Sequence, residues 1–340
     1  MSLPLISIVL PSYNQAAYIE ETLRSILDQN YPCLELLVID GGSTDGSVDI
    51  IKRYESKIQY WVSEKDKGQS DAINKGFAKA TGEIITWICS DDLLKPGALQ
   101  LVADAFKGLP ASVGLVHGGV ELFDANRTIS TVFTTGEPAL ERYLSGMAFS
   151  QPAAFFKREY LLQIGGLVSP DLHFGMDYDL FMRLACVCDF HPLPQVLAAY
   201  RLHEASKTTT MQDRFIKDWH VVFRNFLISA DWNEEKKILE SVSVLERERN
   251  EMSLPPVKLI NTNLEKVNRE KTLFFHLCYQ VKALYIQDRF REAKKLLQFL
   301  DGFAEPGWLD SEKSIPPIRR NLKYPPFVIK LMQRLKTFWS

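Results

Sequence analysis

The first hundred residues alternate between short apolar runs and longer segments whose apolar residues recur at helical spacing. Residues 5–10, 36–39, 58–62 and 84–89 are apolar runs bounded by turn-forming residues, which predicts buried strands. Helical spacing follows from Ile19 to Leu27, then near residues 47–54 and 71–80, and from Pro96 onward. Four such alternations predict an α/β fold with a mostly parallel central sheet and helices on both faces.

The pattern is less regular in the middle of the chain and wholly helical after it. Residues 113–123 and 128–133 predict a hairpin or edge strands, with a turn at 124–126. A strand at 153–156, a helix at about 177–186 and a strand at 196–200 are predicted to follow. After about residue 210, helical spacing dominates at 233–251, 271–286 and 291–300. We therefore predict an α/β domain over residues 1–210 and a C-terminal α-helical region over residues 211–340.

The composition limits the class of protein. A chain of 340 residues exceeds the roughly 250–300 residues that one hydrophobic core supports, which favours two domains. A net charge of −2 argues against a protein that follows nucleic-acid phosphates. The five cysteines lie in apolar segments and indicate reduced thiols, and the sequence shows no signal peptide or membrane-spanning run. We expect a cytoplasmic protein.

Polar side chains follow all four predicted strands. The strand ends lead into Ser12, Tyr13 and Asn14, into Asp40, into Glu64 and Asp66, and into Asp91 and Asp92. Ligands bind at the carboxyl edge of a parallel sheet because helix N-termini and loop amides converge there. A single Asp or Asn after a strand often only forms a turn or a cap. Four successive acidic ends repel one another, however, which favours a bound cation or a hydrogen-bonding ligand.

Four stretches resemble glycosyltransferase family 2, the inverting nucleotide-sugar transferases of GT-A fold. They are SIVLPSYNQAAYIEETLRSIL, LLVIDGGSTDGS, EKDKGQSDAINKGFAKATGEIITWICSDD and GMDYDLFMRLA, in the family's order and spacing. The resemblance covers Ile6 to about His203 and implies a GT-A catalytic domain in residues 1–210. It implies an enzyme that moves a sugar from a nucleotide-sugar donor, expected to be a UDP-sugar, to a hydroxyl of a glycan or lipid-linked acceptor. Polysaccharide, surface-glycan or lipid-linked glycan synthesis is the expected setting.

The resemblance implies nucleotide-binding residues after the first two strands. Pro11, Tyr13 and Asn14 match the family's turn beside the nucleotide. Asp40 matches the acid that accepts a hydrogen bond from the uracil ring. A carboxylate is chemically suited to that imide N–H.

The resemblance implies further nucleotide contacts in the loop after the third strand and on the helix that follows it. Asp66 and Gly68 begin a loop that wraps the nucleoside, where glycine allows close backbone approach. Asp71 is expected to face the ribose or base, and Asn74 and Lys75 follow one turn later on the same face. Helix capping and solvent exposure are the alternative for these three residues.

The resemblance also implies a metal site, and here the sequence departs from the family's fullest motif. Asp91 and Asp92 match the DXD-type motif that holds Mg²⁺ or Mn²⁺ on the donor diphosphate, in keeping with the preference of these cations for oxygen ligands. Cys89 stands where many members have an acid or Asn, so one possible ligand is lost. We expect Asp92 to contact the metal and Asp91 to lie nearer the sugar or ribose. His203 is a second candidate metal ligand, with a structural or surface role as the alternative.

Inversion by single displacement needs a carboxylate that takes the proton of the acceptor hydroxyl. Asp177 occupies the position of this base in the family, and Met176 replaces the usual Glu beside it. Asp179 is a rival, but two helical positions lie about 200° apart and cannot face the same cleft. Gln151 is a further candidate for contact with the acceptor or the donor sugar.

Two other classes of protein compete with this interpretation. A nucleotidyltransferase of similar fold would have a Gly- and Lys/Arg-rich loop after the first strand, whereas this sequence has PSYNQAAY. A non-catalytic nucleotide-binding module would have lost the base or the metal-binding acids, and both are present here.

Residues 319–340 form a separate feature. They contain six basic residues and no acidic one, and their apolar residues fall on one helical face. Such a basic amphipathic helix is typical of segments that bind membrane surfaces. The alternative is a helix that packs onto the rest of the protein and keeps a solvated basic face. We therefore expect possible peripheral contact with the inner face of a membrane.

Overall fold

The computed structural model describes residues 3–125, 127–134, 139–204, 212–247, 254, 256–257, 259 and 263–339. The chain forms two compact units. The first comprises Met1–Thr135 and Phe149–Thr210, and the second comprises Gly136–Ala148 and Met211–Ser340. The sequence-based division placed residues 136–148 in the α/β domain, whereas here they group with the helices of the second unit.

The first unit is built on one sheet of nine strands. They are β1 (Ile6–Ser12), β2 (Leu34–Asp40), β3 (Tyr60–Ser63), β4 (Ile84–Trp87), β5 (Leu93–Leu94), β6 (Val113–Phe123), β7 (Thr128–Val132), β8 (Ala154–Lys157) and β9 (Asp189–Arg201). Their order is β3-β2-β1-β4-β8-β6-β9-β5, with β7 beside β6. The first four strands are parallel to one another, and β6 is parallel to β9. Antiparallel pairs join β8 to β4 and β6, β7 to β6, and β5 to β9, so the sheet becomes mixed beyond β4.

Fourteen helices are found in the described part of the chain. They are α1 (Ile19–Leu27), α2 (Ser47–Arg53), α3 (Gln69–Lys79), α4 (Ala98–Gly108), α5 (Leu140–Ser145), α6 (Arg158–Gln163), α7 (Met176–Ala185), α8 (Gln212–Ser229), α9 (Asn233–Val242), α10 (Arg269–Ile286), α11 (Phe290–Phe303), α12 (Trp308–Ser311), α13 (Ile315–Asn321) and α14 (Pro326–Trp339). Short 3₁₀ turns lie at Glu55–Lys57, Gln151–Ala153, Val244–Arg247 and Asn263–Lys266.

Helices cover both faces of the parallel half of the sheet, as predicted. Ile8 and Leu10 of β1 belong to one apolar core with residues of α1 and α4. Val9 points to the opposite face, where Gly76 of α3 approaches so closely that a Cβ atom would lie 2.3 Å from Val9 Cγ1. On that face the ring of Trp87 stacks on Phe181 of α7 at 5.8 Å. The alternation of side chains along β1 therefore produces the layered α/β fold.

The second unit incorporates α5, which explains the grouping of residues 136–148. Tyr143 and Leu144 of α5 are buried. The Arg142 guanidinium forms an ion pair with Glu312 and lies over the Phe275 ring, 4.0 Å from its centroid. The Ser145 carbonyl accepts a 2.9 Å hydrogen bond from Nδ1 of His276, on α10. These contacts join residues far apart in sequence, so the local pattern did not indicate them.

The helix α8 was not among the helices predicted from the sequence. None of the helices in the described ranges is both long enough and apolar enough to cross a membrane.

Candidate active site

The register of the parallel strands brings their polar ends to one edge of the sheet. Ser12 at the end of β1 is level with Asp40 at the end of β2, and Asp40 is level with Ser63 at the end of β3. Val9 is level with Trp87, the last residue of β4. The chain therefore leaves all four strands on the same side, where ligands of parallel sheets bind.

Asp40 is completely buried and holds the loop after β2. Its Oδ2 accepts hydrogen bonds from the amides of Gly42 (3.1 Å) and Ser43 (2.9 Å) and from the Ser63 hydroxyl (2.6 Å). Its Oδ1 accepts the hydroxyl of Ser43 at 2.5 Å. Three of these hydrogen bonds reach Oδ2 and one reaches Oδ1, so most of the acceptor capacity of Asp40 is used within the protein. The predicted contact with uracil stays a prediction.

Asn14 joins the first two loops of the edge. Its backbone has a φ of 51°, its amide donates to the Ser43 hydroxyl at 2.8 Å, and its Oδ1 accepts the Thr44 amide at 2.9 Å. Pro11 is buried within β1, whereas Tyr13 is 61% exposed. Of the three residues predicted in this turn, Tyr13 thus offers an exposed ring that a base could stack on.

Asp66 and Gly68 lie against the loop after β2. The Gly68 amide donates to Asp66 Oδ1 at 2.8 Å. Gly68 has a φ of 113°, in the left-handed region that favours glycine. A Cβ atom at Gly41 would lie 2.6 Å from Asp66 Oδ2, so the Asp66 carboxylate lies directly against Gly41. The structure therefore brings the predicted nucleoside loop next to the loop that Asp40 holds.

The three residues predicted on α3 have partners within the protein. Asp71 and Lys75 form an ion pair at 3.4 Å, and Lys75 Nζ also lies 2.8 Å from Glu64. The Asn74 amide group donates to the Val168 carbonyl (3.0 Å) and accepts the Val168 amide (2.9 Å). Asn74 thus fastens α3 to the segment that precedes α7. Their nucleotide contacts stay predictions.

Asp91, Asp92 and Cys89 form a compact cluster directly after β4. The Cys89 Sγ and one oxygen of each carboxylate lie within 4.8 Å of one another. Asp92 is 2% exposed, and its burial, followed by the charge of Asp91, raises its pKa well above the usual range. Cys89, which stands where many family members have an acid or Asn, thus adds a sulfur atom to the cluster. Two adjacent carboxylates with one raised pKa fit a divalent cation, which would relieve both the burial cost and the repulsion.

Arg201 at the end of β9 holds both acids, a role that the sequence analysis missed. Its amide donates to Asp92 Oδ1 at 3.1 Å, and its Nε donates to the Asp91 carbonyl at 3.0 Å. Its Nη2 donates to the carboxylate of Glu21, and its guanidinium lies over the rings of Tyr18 and Phe123, at 5.0 and 4.4 Å. The sequence feature that could have indicated this role is the position of Arg201 at the end of a predicted strand, two residues before His203.

His203 is the partner of Asp91 in this structure. Its Nε2 lies 2.9 Å from Asp91 Oδ2, and its ring lies 4.7 Å from the ring of Tyr18. The hydrogen bond orients Asp91 within the cluster. Direct metal coordination by His203 stays a prediction.

The start of α3 connects this cluster to the start of α7. Gln69 Nε2 donates to Cys89 Sγ at 3.2 Å. The neighbouring Ser70 hydroxyl contacts Met176 Sδ at 2.9 Å. Met176, which replaces the family's usual Glu, is buried and precedes Asp177. Two consecutive residues of α3 therefore link the cluster of Cys89, Asp91 and Asp92 to the helix of the predicted base.

The two carboxylates of α7 have different surroundings. Asp177 is half-buried in the first turn of the helix, and its Oδ1 accepts the Tyr178 amide at 2.8 Å. Asp179 is 6% exposed, and its Oδ2 accepts two hydrogen bonds from Arg183, at 2.7 and 3.0 Å. The Asp179 carboxylate is thus engaged by Arg183 and directed along its own helix, so the geometry favours Asp177 over its rival. Gln151 donates to the Trp87 carbonyl at 2.7 Å.

Two solved structures share this fold. The crystal structure of S. aureus TarS 1-349 in complex with UDP-GlcNAc matches 91% of this chain and 81% of its own, with a TM-score of 0.58 and 17% identity. The mannosyltransferase PcManGT from Pyrobaculum calidifontis, in complex with GDP-Man and Mn²⁺, matches 99% of this chain and 85% of its own, with a TM-score of 0.54 and 20% identity. At these identities the likeness concerns the fold, which is GT-A.

Sequence relatives identify the family. The model of "Glycosyl transferase family 2" matches residues 7–165. An uncharacterized glycosyltransferase of Haemophilus influenzae is 30% identical over 183 residues, which cover 52% of this chain and 72% of that protein. In a glycosyltransferase of Rickettsia conorii, which is 26% identical, the match covers 66% of this chain and only 38% of that protein. The motifs, the fold and these relatives agree, and the chain belongs to glycosyl transferase family 2.

Proposed function

We propose that this glycosyltransferase moves a sugar from a nucleoside-diphosphate sugar, with UDP as the expected nucleotide, to an acceptor hydroxyl with inversion of the anomeric carbon. The observation that carries the proposal is the cluster of Cys89, Asp91 and Asp92, linked through α3 to the helix of Asp177. Nucleotide sugars are bound in both structural neighbours, UDP-GlcNAc in one and GDP-Man in the other.

Asp91 and Asp92 would hold Mg²⁺ or Mn²⁺ on the donor diphosphate. When bound, such an ion supplies positive charge against the charge that develops on the leaving nucleoside diphosphate. Arg201 keeps both acids in place through its amide and its Nε. His203 holds the Asp91 carboxylate and is the third candidate ligand of the proposal.

Asp177 would act as the general base. Its carboxylate takes the proton of the acceptor hydroxyl while that oxygen forms a bond to the anomeric carbon and the bond to the diphosphate breaks. Asp179 is held by Arg183 and contributes to the position of α7 instead. Tyr13 is the exposed ring available to the nucleotide base. The remaining nucleotide-binding residues of the proposal are Pro11, Asn14, Asp40, Asp66, Gly68, Asp71, Asn74 and Lys75.

The proposal includes an acceptor in polysaccharide, surface-glycan or lipid-linked glycan synthesis. A lipid-linked acceptor would place the enzyme at the inner face of a membrane, in peripheral contact through residues 319–340. The basic character of that segment supports this part of the proposal.

The test separates donor binding from transfer. A panel of nucleoside-diphosphate sugars with Mn²⁺ should contain a UDP-sugar that raises the melting temperature, since a ligand that binds only the folded state stabilises it. Asp177→Asn should keep that stabilisation and lose about 10²- to 10⁴-fold in turnover. Native turnover in Asp177→Asn would contradict the assignment of the base. Stabilisation without turnover in the native protein would indicate a non-catalytic module, and pyrophosphate release from a nucleoside triphosphate would indicate a nucleotidyltransferase.

A further inference from the structure

The segment from Tyr324 to Leu331 carries a set of exposed apolar side chains, which we call the apolar strip. Phe327 is 73% exposed, Leu331 is 57% exposed and Tyr324 is 50% exposed, and Val328 is half-buried among them. Phe327 lies four positions before Leu331 and Val328 lies three positions before it, so the three side chains share one face of α14. Phe327 is the most exposed large apolar side chain among the described residues.

The opposite face of α14 is the one that packs. Ile329 is 1% exposed, two positions from both Phe327 and Leu331, and therefore points away from the apolar strip. Gln333 Nε2 donates to the Tyr285 carbonyl at 3.4 Å on this packed side. The helix is thus fastened to its own unit without using the strip. The helix therefore packs through the side that carries Ile329, while Phe327 and Leu331 on its other side stay exposed.

Basic residues flank the apolar strip along the sequence. Residues 313–340 contain seven basic residues and no acidic one. Arg320 and Lys323 are exposed, and no ion pair is found for either within the described ranges. Two other cations of the segment, Arg319 and Lys330, form ion pairs with carboxylates of the same unit.

We propose that the apolar strip and its two flanking cations, Arg320 and Lys323, dock the protein on an anionic lipid bilayer. A bilayer interface accommodates Phe, Tyr and Leu on one helix face while anionic headgroups attract adjacent Lys and Arg. Phe327, Val328 and Leu331 share one face of α14, and Tyr324 precedes that helix. The inference rests on the part of the proposed function that places residues 319–340 at a membrane, and it is separate from the transfer chemistry because it concerns a surface of the second unit.

Vesicle co-sedimentation of the full chain tests the inference. The protein should pellet with phosphatidylcholine vesicles that contain phosphatidylglycerol, remain in solution with pure phosphatidylcholine, and bind less as salt rises. Arg320→Gln with Lys323→Gln should lower the partition coefficient about 25-fold, at about fivefold for each cation. Phe327→Ser with Leu331→Ser should lower it by at least about tenfold, because less apolar area enters the interface.

Matched control variants carry the same types of substitution at exposed residues outside the apolar strip. Leu162→Ser changes an apolar side chain that is 54% exposed in the first unit. Lys57→Gln with Lys266→Gln removes two exposed cations. Both controls should bind vesicles like the native protein, and melting curves should show that all variants fold.

Three results would overturn the inference. The first is a native protein that stays in solution with both kinds of vesicle. The second is undiminished binding by the strip variant Phe327→Ser with Leu331→Ser. The third is a native dimer, measured by light scattering, that this variant dissociates, because a second copy of the chain would then be the occupant of the strip. Donor stabilisation in the thermal-shift panel should be the same in every variant, which keeps this test separate from that of the proposed function.

Discussion

Asp40 and Asp92 are two buried carboxylates that follow parallel strands at the same edge of one sheet. Asp40 accepts four hydrogen bonds from groups of its own loop and of the neighbouring strand end. Asp92 has one hydrogen bond from the Arg201 amide, a second carboxylate beside it and a pKa well above the usual range. At this edge of the sheet, the protein thus satisfies the hydrogen-bonding needs of the Asp40 carboxylate but not those of the Asp92 carboxylate.

An acidic residue at the end of a strand does not have a role fixed by its position and its chemical type alone. A buried charge that receives several hydrogen bonds stabilises the loop that provides them. A buried charge beside a like charge raises the free energy of the metal-free protein, and a bound cation reverses that cost. The partners within about 4 Å therefore decide between a structural and a functional carboxylate.

The largest expected effect is on turnover after substitution of Asp92. Asp92→Asn keeps the shape of the side chain and removes its charge, so turnover should fall about 10³-fold through the loss of metal binding. Transfer or donor hydrolysis with Mn²⁺ measures this. Asp49→Asn, which changes a side chain that is 82% exposed on α2, should leave turnover unchanged. Native turnover in Asp92→Asn would place the metal-binding acid elsewhere.

The same substitution at Asp40 should act mainly on stability. Asp40→Asn places an amide group where only acceptors fit and leaves at least one buried donor without a partner, which should cost about 2–3 kcal/mol. The unfolding transition of the first unit should fall by about 5–10 °C. Asp92→Asn, in contrast, should not lower that transition in metal-free protein. Equal melting temperatures for the two variants would remove the distinction between the two carboxylates.

The alternation of strands and helices and the acidic edge could be predicted because both depend on local sequence. The strand β9 was predicted only from residue 196 to 200, yet it begins at Asp189. A proline has no backbone N–H to donate to a neighbouring strand, yet Pro192 is level with His117, and Pro194 falls where the register of β6 and β9 shifts between His117 and Gly119. Such long-range pairing leaves no local pattern.

The candidate site likewise combines features that depend on local sequence with features that depend on long-range contacts. The strand-end acids were visible in the sequence, whereas the partners that distinguish them lie far away along the chain. Ser63 reaches Asp40 from 23 residues away, and Arg201 reaches Asp92 from 109 residues away. Hydrogen-bond partners at such separations follow from the folded sheet, so the sequence alone did not show that the protein satisfies Asp40 and not Asp92.

The pH dependence of stability should differ between native protein and Asp92→Asn. The folded pKa of Asp92 is raised above its usual 3.8, so the folded state binds the proton more tightly than the unfolded state. The metal-free native protein should therefore lose stability as pH rises from about 4 through the raised pKa, by up to about 1.4 kcal/mol per pH unit. Both proteins keep His203, so the difference between their melting curves isolates Asp92. Mn²⁺ should reduce this loss, and identical curves in metal-free buffer would contradict the assigned pKa direction.

The smallest expected effect concerns Cys89, whose sulfur distinguishes this cluster from an all-carboxylate site. Thiolates bind Cd²⁺ more strongly than hydroxyl groups do, whereas Mg²⁺ binds oxygen ligands. Cys89→Ser should therefore lower the affinity for Cd²⁺ about tenfold, with the loss of a thiolate absorption band, and change Mg²⁺ affinity by less than about twofold. Cys33→Ser, at another half-buried thiol, is the matched control and should change neither. If Cd²⁺ affinity were the same in Cys89→Ser and in the native protein, the sulfur would contribute only its hydrogen bond with Gln69, and the metal site would consist of Asp91 and Asp92 with ligands other than Cys89.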